Sequence, residues 1–457
     1  MVSDNNININ KGVNLKTLFK LTIPIFLELI LQVLLGNVDK IMVRSDNSAN
    51  AINQANSILD VLTIFISVLC AGSLILINQY KGAKDKKNEQ KIYSIAFFFN
   101  LFVSFGVSFV LLVFSKQIFT LMNVSPEFYD ETLIYIRING AFLFLQAMIL
   151  TLSCFLRSNA LVIQGFIVSA SFNVLNVVLN ALFLYGLKIT GVTGVAIATV
   201  ISRFLGVIAL FIMIKKLTSI KLTLRNSIFK PEGMLKKLLK ISVPSAGESF
   251  SYSASQIVIL SIINIVGLTI AAGAPTAKTY TNIMIQFSFI FTSSITQAMQ
   301  IMLGRYLGAR KTDEAEKLIN KTLFLAIISS IVISLVQAIF AKNIFSLFTN
   351  DQEVIKLCQY IMWIEVALEI GRAINITLVR ALQTSGDVFF PTLLAIIFCW
   401  VVAVVGSYVF GVVFKLGIIG VWIAMSIDEL CRGLIFIIRL KKGKWKNKNI
   451  ISNMELS

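Results

Sequence analysis

The residues of this sequence best suited to chemistry are acids lodged inside long apolar stretches, and the chemistry they suit is the uptake and release of a cation. Glu28 and Asp39 interrupt one apolar run, Glu248 another, Glu365 and Glu369 a third, and Asp428 and Glu429 a fourth. An ionisable group in the middle of a bilayer costs on the order of 2.5–3.5 kcal/mol or more, so each is a functional candidate. Each also has a plainer reading as half of an ion pair. Glu369 and Arg372 are i,i+3 neighbours on a helix, and Asp428 and Arg432 are one turn apart. Glu248 has no basic neighbour in its own run, and Tyr252, Ser255 and Gln256 continue its face at helical spacing. Burial disfavours the charged form of a carboxylate, which suits a proton site. Oxygens gathered round a carboxylate would instead suit sodium, a hard cation. These residues leave both coupling ions open.

Asn173, Asn176 and Asn180 form a carboxamide stripe at i, i+3 and i+7 on another run. Unsatisfied amides in lipid are costly, so the stripe should face protein or water, either in hydrogen bonds between helices or around an ion. Pro24 and Pro244 each remove a helical hydrogen bond and mark candidate hinges. The chain has no histidine, and its five cysteines are scattered singly, so no firm metal site and no disulfide framework is indicated. There is no phosphate-binding G-x-x-x-x-G-K-[ST] and no G-x-S-x-G or H-E-x-x-H. No cofactor is expected, and the chain does not read as an enzyme. An integral-membrane enzyme would need a nucleophile, base or metal-ligand constellation at one membrane face. Energy for transport would come from a proton or sodium gradient, or from a separate subunit.

The elements that must position these acids are membrane-spanning helices. Of 457 residues, 56% are hydrophobic and only 14% charged, and mean hydropathy is +0.82. Apolar runs near the ~20 residues of a spanning helix recur at 16–42, 54–79, 93–115, 131–156, 161–184 and 194–215, then at 237–265, 276–303, 320–341, 354–382, 388–412 and 417–439. The expected fold is all-α, with twelve spans in two pseudo-symmetric six-helix bundles. Residues 1–215 form an N-terminal lobe, 216–236 a cytoplasmic linker, 237–446 a C-terminal lobe and 447–457 a cytoplasmic tail. The net charge of +18 could signal nucleic-acid binding, but the basic residues concentrate in alternate loops. Lys81–Lys91, Lys215–Lys240, Arg305–Lys321 and Arg439–Lys448 are rich in them. Lys116, Lys188, Lys278, Lys342 and Lys415 stand nearly alone in the loops between. That asymmetry places both termini in the cytoplasm. The expected partners are the lipid bilayer and a small-molecule substrate, with no nucleic acid, and the chain is expected to act as a monomer.

An internal repeat supports the two-bundle reading. Gln79-Tyr80-Lys81-Gly82-Ala83 recurs in the second half as Arg305-Tyr306-Leu307-Gly308-Ala309. At the same offset, Gly191-Val192-Thr193-Gly194-Val195-Ala196 recurs as Gly417-Ile418-Ile419-Gly420-Val421-Trp422. Earlier in each half, and at a slightly shorter offset, Lys20-Leu21-Thr22-Ile23-Pro24 with Glu28 recurs as Lys240-Ile241-Ser242-Val243-Pro244 with Glu248. Parallel six-span repeats of this kind place substrate sites between the halves near the middle of the membrane.

Together these stretches resemble the multidrug and toxic compound extrusion (MATE) family of prokaryotic secondary transporters. Asn37-Val38-Asp39-Lys40-Ile41-Met42, Val243-Pro244-Ser245-Ala246-Gly247-Glu248, Glu369-Ile370-Gly371-Arg372 and Leu382-Gln383-Thr384-Ser385-Gly386-Asp387 also carry the resemblance, which covers about Leu18 to Lys446. It implies two six-helix lobes forming a V around a central cavity, and export of amphipathic organic cations across the plasma membrane by antiport against protons or sodium. It further implies a coupling site in the N-terminal lobe at Asp39, Asn176, Asn180 and Thr199, where relatives often carry an aspartate in place of Asn180. A second site in the C-terminal lobe would use Glu248 and Glu369 with Tyr252, and Glu28 and Glu365 are further candidates. An exporter of lipid-linked saccharide precursors shares the architecture and is the alternative; a strongly basic cavity would favour it.

Overall fold

The computed structural model describes residues 12–35, 38–43, 45–121, 126–189, 191–224 and 233–448. Among them every regular element is helical. In chain order these are α1 Leu15–Leu35, α2 Val38–Met42, α3 Asp46–Gly82, α4 Lys86–Leu121, α5 Tyr129–Ala141, α6 Leu143–Ser158, α7 Val162–Ala181 and α8 Val192–Leu217. The series continues with α9 Met234–Thr269, α10 Ala274–Gly308, α11 Thr312–Ile339, α12 Ala341–Phe345, α13 Gln352–Thr384, α14 Phe389–Phe398, α15 Val405–Tyr408 and α16 Gly417–Lys441. With no water inside a bilayer, backbone groups must be satisfied within each segment, and the helix does this. Large apolar side chains remain exposed along the spans, as Phe102, Phe105 and Phe109 do on α4, and these are lipid-facing.

Eight helices among the described residues are long and apolar enough to cross a bilayer, and α5 with α6, bent by 45° around Phe142, makes a ninth crossing. The remaining three of the twelve spans are α10, α13 and α16, with 35, 33 and 25 residues. They are long enough to cross but polar: α13 and α16 carry Glu365, Glu369, Arg372, Asp428, Glu429 and Arg432, and α10 buries Ser288, Thr292, Thr296 and Gln300. Several expected boundaries shift. The described part of the first span is α1 and α2, and α3 runs 37 residues, about 55 Å, so it projects well beyond the hydrocarbon layer. Lys278, read from the sequence as a loop lysine, lies inside α10 and is 9% exposed, its Nζ 5.8 Å from the centre of the Trp422 ring. The aromatic face and the neighbouring Glu365 keep it there.

The described residues fall into two units. One spans Ile23–Val243; the other joins the start of α1, through Thr22, to everything described from Pro244 onward. Both α1 and α9 therefore change unit beside a proline, Pro24 and Pro244. Equivalent tyrosines of the repeated motif hold the starts of these two helices. Tyr80 Oη donates to Met234 Sδ at 3.3 Å and accepts from Lys237 Nζ at 3.3 Å. Tyr306 Oη donates to the Gly12 carbonyl at 2.9 Å. In the first unit the linker start is strapped to α4, with the Lys221 amide donating to Gln90 Oε1 at 2.8 Å and the Thr223 amide to Ser94 Oγ at 3.1 Å. Linker residues 225–232, the tail from 449 and residues 1–11 lie outside the described residues.

The repeat is visible in the backbone. Left-handed turns occur at Lys84 and Arg310, both with φ 59°, and at Ala160 and Gly386, each pair related by the offset that aligns Tyr80 with Tyr306. The hydrogen bonds that close them match: Asp85 N to Tyr80 O and Lys311 N to Tyr306 O, Leu161 N to Leu156 O and Asp387 N to Leu382 O. A π-helical turn at Leu182–Gly186 recurs at Val409–Val413. The repeated Gly-x-x-Gly has two physical causes. Gly191 and Gly417 adopt φ of 70° and 63°, which glycine alone takes without strain. Gly420 packs so closely that a Cβ there would meet the Phe410 carbonyl at 2.6 Å. Gly420→Ala should therefore destabilise the second unit by about 1–3 kcal/mol, the cost of overpacking against an unyielding backbone. Thermal unfolding in detergent reads this, with Gly106→Ala as control. Nothing lies within 4 Å of a Cβ at Gly106, and that change should be neutral or stabilising.

Candidate functional site

In the first unit, Asp39 sits on the short helix α2 and meets α7 and α8. Its Oδ1 accepts from Asn180 Nδ2 at 2.7 Å, and Thr199 Oγ1 lies 3.5 Å from Oδ2. Asn176 Nδ2 donates to Thr199 Oγ1 at 3.2 Å. The four residues of the N-terminal site thus form one connected cluster. Asn173 turns back to the Ser169 carbonyl at 2.9 Å and does not join it. Asn180 is fully buried, and its Oδ1 has no hydrogen-bond partner. Further ionisable groups complete the surroundings. Arg203, one turn beyond Thr199 on α8, is an electrostatic neighbour of Asp39, Asp60 and Tyr135. Lys40 Nζ is held by Asn53 Oδ1 at 2.9 Å. Arg203, Asp60 and Tyr135 were missed in the sequence; the available signal was Arg203 itself, a lone arginine within an apolar run, one helical turn after Thr199.

Glu28 is closed off. Its Oε2 accepts from Arg157 at 2.8 Å in a buried ion pair. The two units can be compared at this point. The register that aligns Pro24 with Pro244 carries Glu28 to Glu248, and the one that aligns Tyr80 with Tyr306 carries Arg157 to Gln383. The contact is kept between repeats and the charge is not: Gln383 Nε2 donates to Glu248 Oε2 at 3.2 Å, with Thr392 Oγ1 at 3.3 Å. Among the described residues Glu248 has no ion-pair partner; Arg380 and Arg432 act on it from farther away. The same registers map Asp39 to Ile259, Asn180 to Gly406 and Thr199 to Met425. The Asp39 cluster therefore exists in the first unit alone.

The second unit carries a separate buried network. Arg372 pairs with Glu365 at 3.0 Å and with Glu369, which also accepts from Ser288. Trp422 Nε1 donates to Glu365 Oε2 at 2.7 Å. Arg432 bridges Asp428 at 2.5 Å and Glu429 at 2.9 Å, and Asn375 Nδ2 donates to Glu429 Oε2 at 2.5 Å. Close approach of α13 and α16 makes this possible, since a Cβ on Gly371 would meet the Glu429 backbone at 2.7 Å. Glu369 and Glu365 thus share one arginine, and no direct contact joins Glu369 to Glu248 among the described residues. The resemblance had grouped Glu248 with Glu369; the turns of α13 that carry Glu369 and Gln383 lie too far apart along the helix for one carboxylate to meet both. Tyr252, one turn beyond Glu248, is 43% exposed and has Arg372, Glu429 and Arg432 as electrostatic neighbours.

Outside the spans, Asp387 closes the turn between α13 and α14. It is fully enclosed and accepts from Arg439 Nε at 2.9 Å and Lys448 Nζ at 2.6 Å. Burial pushes its carboxyl up, but hydrogen bonds and charge from Arg439 and Lys448 outweigh that and hold it below its ordinary value. The depressed value makes the sign clear: this contribution to stability is complete above about pH 4 and is lost as pH falls through the lower folded-state value. Asp387→Asn should cost on the order of 3 kcal/mol at neutral pH. In detergent melts the gap between variant and wild type should close in acid.

The fold and these clusters define a class: a multi-pass α-helical membrane transporter built from two repeats, with carboxylates set in its spans. The MatE family model matches residues 24–182 and again 244–409, two stretches that begin at the two prolines, and the chain belongs to this family. It is 32% identical over 439 residues to the uncharacterized transporter YisQ of Bacillus subtilis (strain 168), covering 95% of this chain and 96% of that one. It is 23% identical over 445 residues to a probable multidrug resistance protein, NorM, of Thermotoga maritima, covering 96% and 94%. Among solved structures, the outward-facing conformation of a multidrug resistance MATE family transporter of the MOP superfamily superposes with a TM-score of 0.88 at 20% identity, over 98% of this chain and all of that one. The protein is a MATE-family transporter and not an enzyme.

Proposed function

We propose that this transporter exports amphipathic organic cations from the cell by antiport against a cation gradient, with Asp39 of the first unit as the coupling carboxylate and Glu248 of the second as a further ionisable site. The observation that carries this reading is the state of Asp39. It is a membrane-embedded acid held by neutral donors, with no ion-pair partner among the described residues. Glu28, Glu365 and Glu369, by contrast, are each tied to an arginine. A carboxylate locked to a guanidinium cannot exchange its counterion as the protein changes state; one held by amide and hydroxyl groups can. The probable multidrug resistance names of NorM and of a Bacillus subtilis relative, YoeA, support efflux as the direction and drug-like compounds as the cargo.

Coupling then follows from linkage: cation binding at Asp39 and substrate binding favour opposite orientations, so each weakens the other. Pro24 and Pro244 act as the bending points, since each breaks its helix's hydrogen-bond ladder where the chain passes from one unit to the other. The concentration of lysine and arginine in alternate loops supports a plasma-membrane protein with cytoplasmic termini. One chain contains both repeats, so a monomer suffices. The test is ethidium transport by purified protein in liposomes under an imposed proton gradient or an imposed sodium gradient. Transport driven by at least one of them is expected. Uptake that follows the ethidium gradient alone, whatever ion gradient is applied, would remove antiport.

A further inference from the structure

We propose that the second unit contains a binding site for a primary alkylammonium, and that the chain fills it with its own Lys278. A lysine close to the end of a span ordinarily snorkels to the headgroups. Lys278 does not: it is buried in α10, with its Nζ over the Trp422 ring at 5.8 Å. Among the described residues it makes no ion pair, and the acid whose charge acts on it is Glu365.

The indole joins the two. Trp422 Nε1 donates to Glu365 Oε2 at 2.7 Å, while the face of the same ring meets the ammonium. A hydrogen bond to a carboxylate pushes electron density into the ring, and a richer face holds a cation more strongly. Arg372 occupies the other oxygen, Oε1, at 3.0 Å. Both carboxylate oxygens therefore already have donors, which leaves neither bare to ligate a metal ion. What remains is an aromatic face in the field of an acid, surroundings that suit an ammonium on an apolar stem.

The first unit has no such set. The register that aligns Tyr80 with Tyr306 carries Lys278 to Ile52, Trp422 to Ala196, Glu365 to Asn139, Glu369 to Leu143 and Arg372 to Gln146. Ile52 and Ala196 lie in one apolar core of the first unit, so the repeat brings the same positions together without charge. The lysine, the acids, the arginine and the ring are present together in one unit and missing together from the other. A lysine placed by topology alone would not come and go with its acid. At this end of the network Glu365 and Glu369 face Arg372 and Lys278, while Arg432 answers Asp428 and Glu429 at the other. A site satisfied from within takes no cation from either side of the membrane, which keeps Glu365 and Glu369 out of the transport cycle.

Lys278→Ala should empty the site, because a buried side chain cut back to alanine leaves a space of its own shape. In thermal melts of the full-length protein in detergent, this variant should lose several degrees. n-Butylammonium chloride, which supplies the missing side chain, should restore most of that loss. Butanol and sodium chloride at the same concentration should restore none. Radiolabelled butylammonium should bind Lys278→Ala, and should bind Lys278→Ala with Glu365→Gln at least about tenfold more weakly. Wild type and Lys278→Met, in which the space stays filled, should not bind it. Equal rescue by butanol would make the position a matter of packing and overturn the proposal. So would failure of Lys278→Ala to bind butylammonium, with or without an infrared band showing that Glu365 takes a proton instead. Should Lys278→Ala not fold, a cycle of Lys278→Met and Glu365→Gln decides the matter. The double variant should be more stable than the two single losses sum to, and strict additivity would overturn the proposal. None of these outcomes depends on antiport.

Discussion

Asp39→Asn should uncouple the transporter. Gradient-driven ethidium efflux is expected to fall by roughly 5- to 150-fold, the range that one to three kcal/mol of coupling free energy represents. Ethidium binding to the purified protein should persist and lose its dependence on pH. The substitution is close to isosteric and keeps an oxygen for Asn180 and an amide for Thr199, so the fold should survive. What disappears is the single group in the cluster that changes charge when it binds a cation without an arginine holding it in one state. If efflux and its pH dependence are both unchanged, coupling lies elsewhere, and Glu248 becomes the leading carboxylate.

Gln383→Arg should silence Glu248. The first unit shows what an arginine does at this position: Arg157 sits 2.8 Å from Glu28 in a buried pair. In the second unit Gln383 already reaches Glu248 at 3.2 Å, so a guanidinium in its place can form the same contact. A neighbouring positive charge favours the ionised carboxylate by about ten- to a thousandfold, and pairing of this strength would hold Glu248 charged through the transport cycle. The expected result is a loss of transport approaching that of Glu248→Gln, with thermal stability equal to wild type or higher. Normal transport in both variants would make Glu248 a packing residue. The reciprocal change, Arg157→Gln, should act on stability instead. It leaves Glu28, 4% exposed, without its counterion, a loss of about 3–5 kcal/mol when the charge cannot be relieved. Restoring the pair in reverse, with arginine at 28 and glutamate at 157, should recover part of it.

Much of the architecture was legible because a bilayer leaves few choices. Spans, their number and the repeat follow from runs of apolar residues and from short motifs with strict backbone demands, such as the glycines at 191 and 417 that hold positive φ. Reading failed where hydropathy and position diverge. Lys278 looked like a loop residue because lysine seldom lies in a span, and the Trp422 ring and Glu365, both distant in the chain, explain its burial. The bend at Phe142 interrupts an apolar run that continues across it, so hydropathy did not register it, although Gly140 stands two residues before.

The roles of the acids divide along the same line. The amino-acid sequence alone determined that this is a twelve-span membrane protein of two related halves with acids and prolines at matching places, since hydrophobic length and local backbone geometry are properties of contiguous residues. Which acids are free and which are paired was decided only by the tertiary structure. Glu28 and Arg157 are 129 residues apart, Glu248 and Gln383 are 135 apart, and Asp39 and Asn180 are 141 apart. The charge state of a carboxylate depends on what lies within a few ångströms of it, and in a helical bundle those neighbours come from other helices, through packing that no local pattern records.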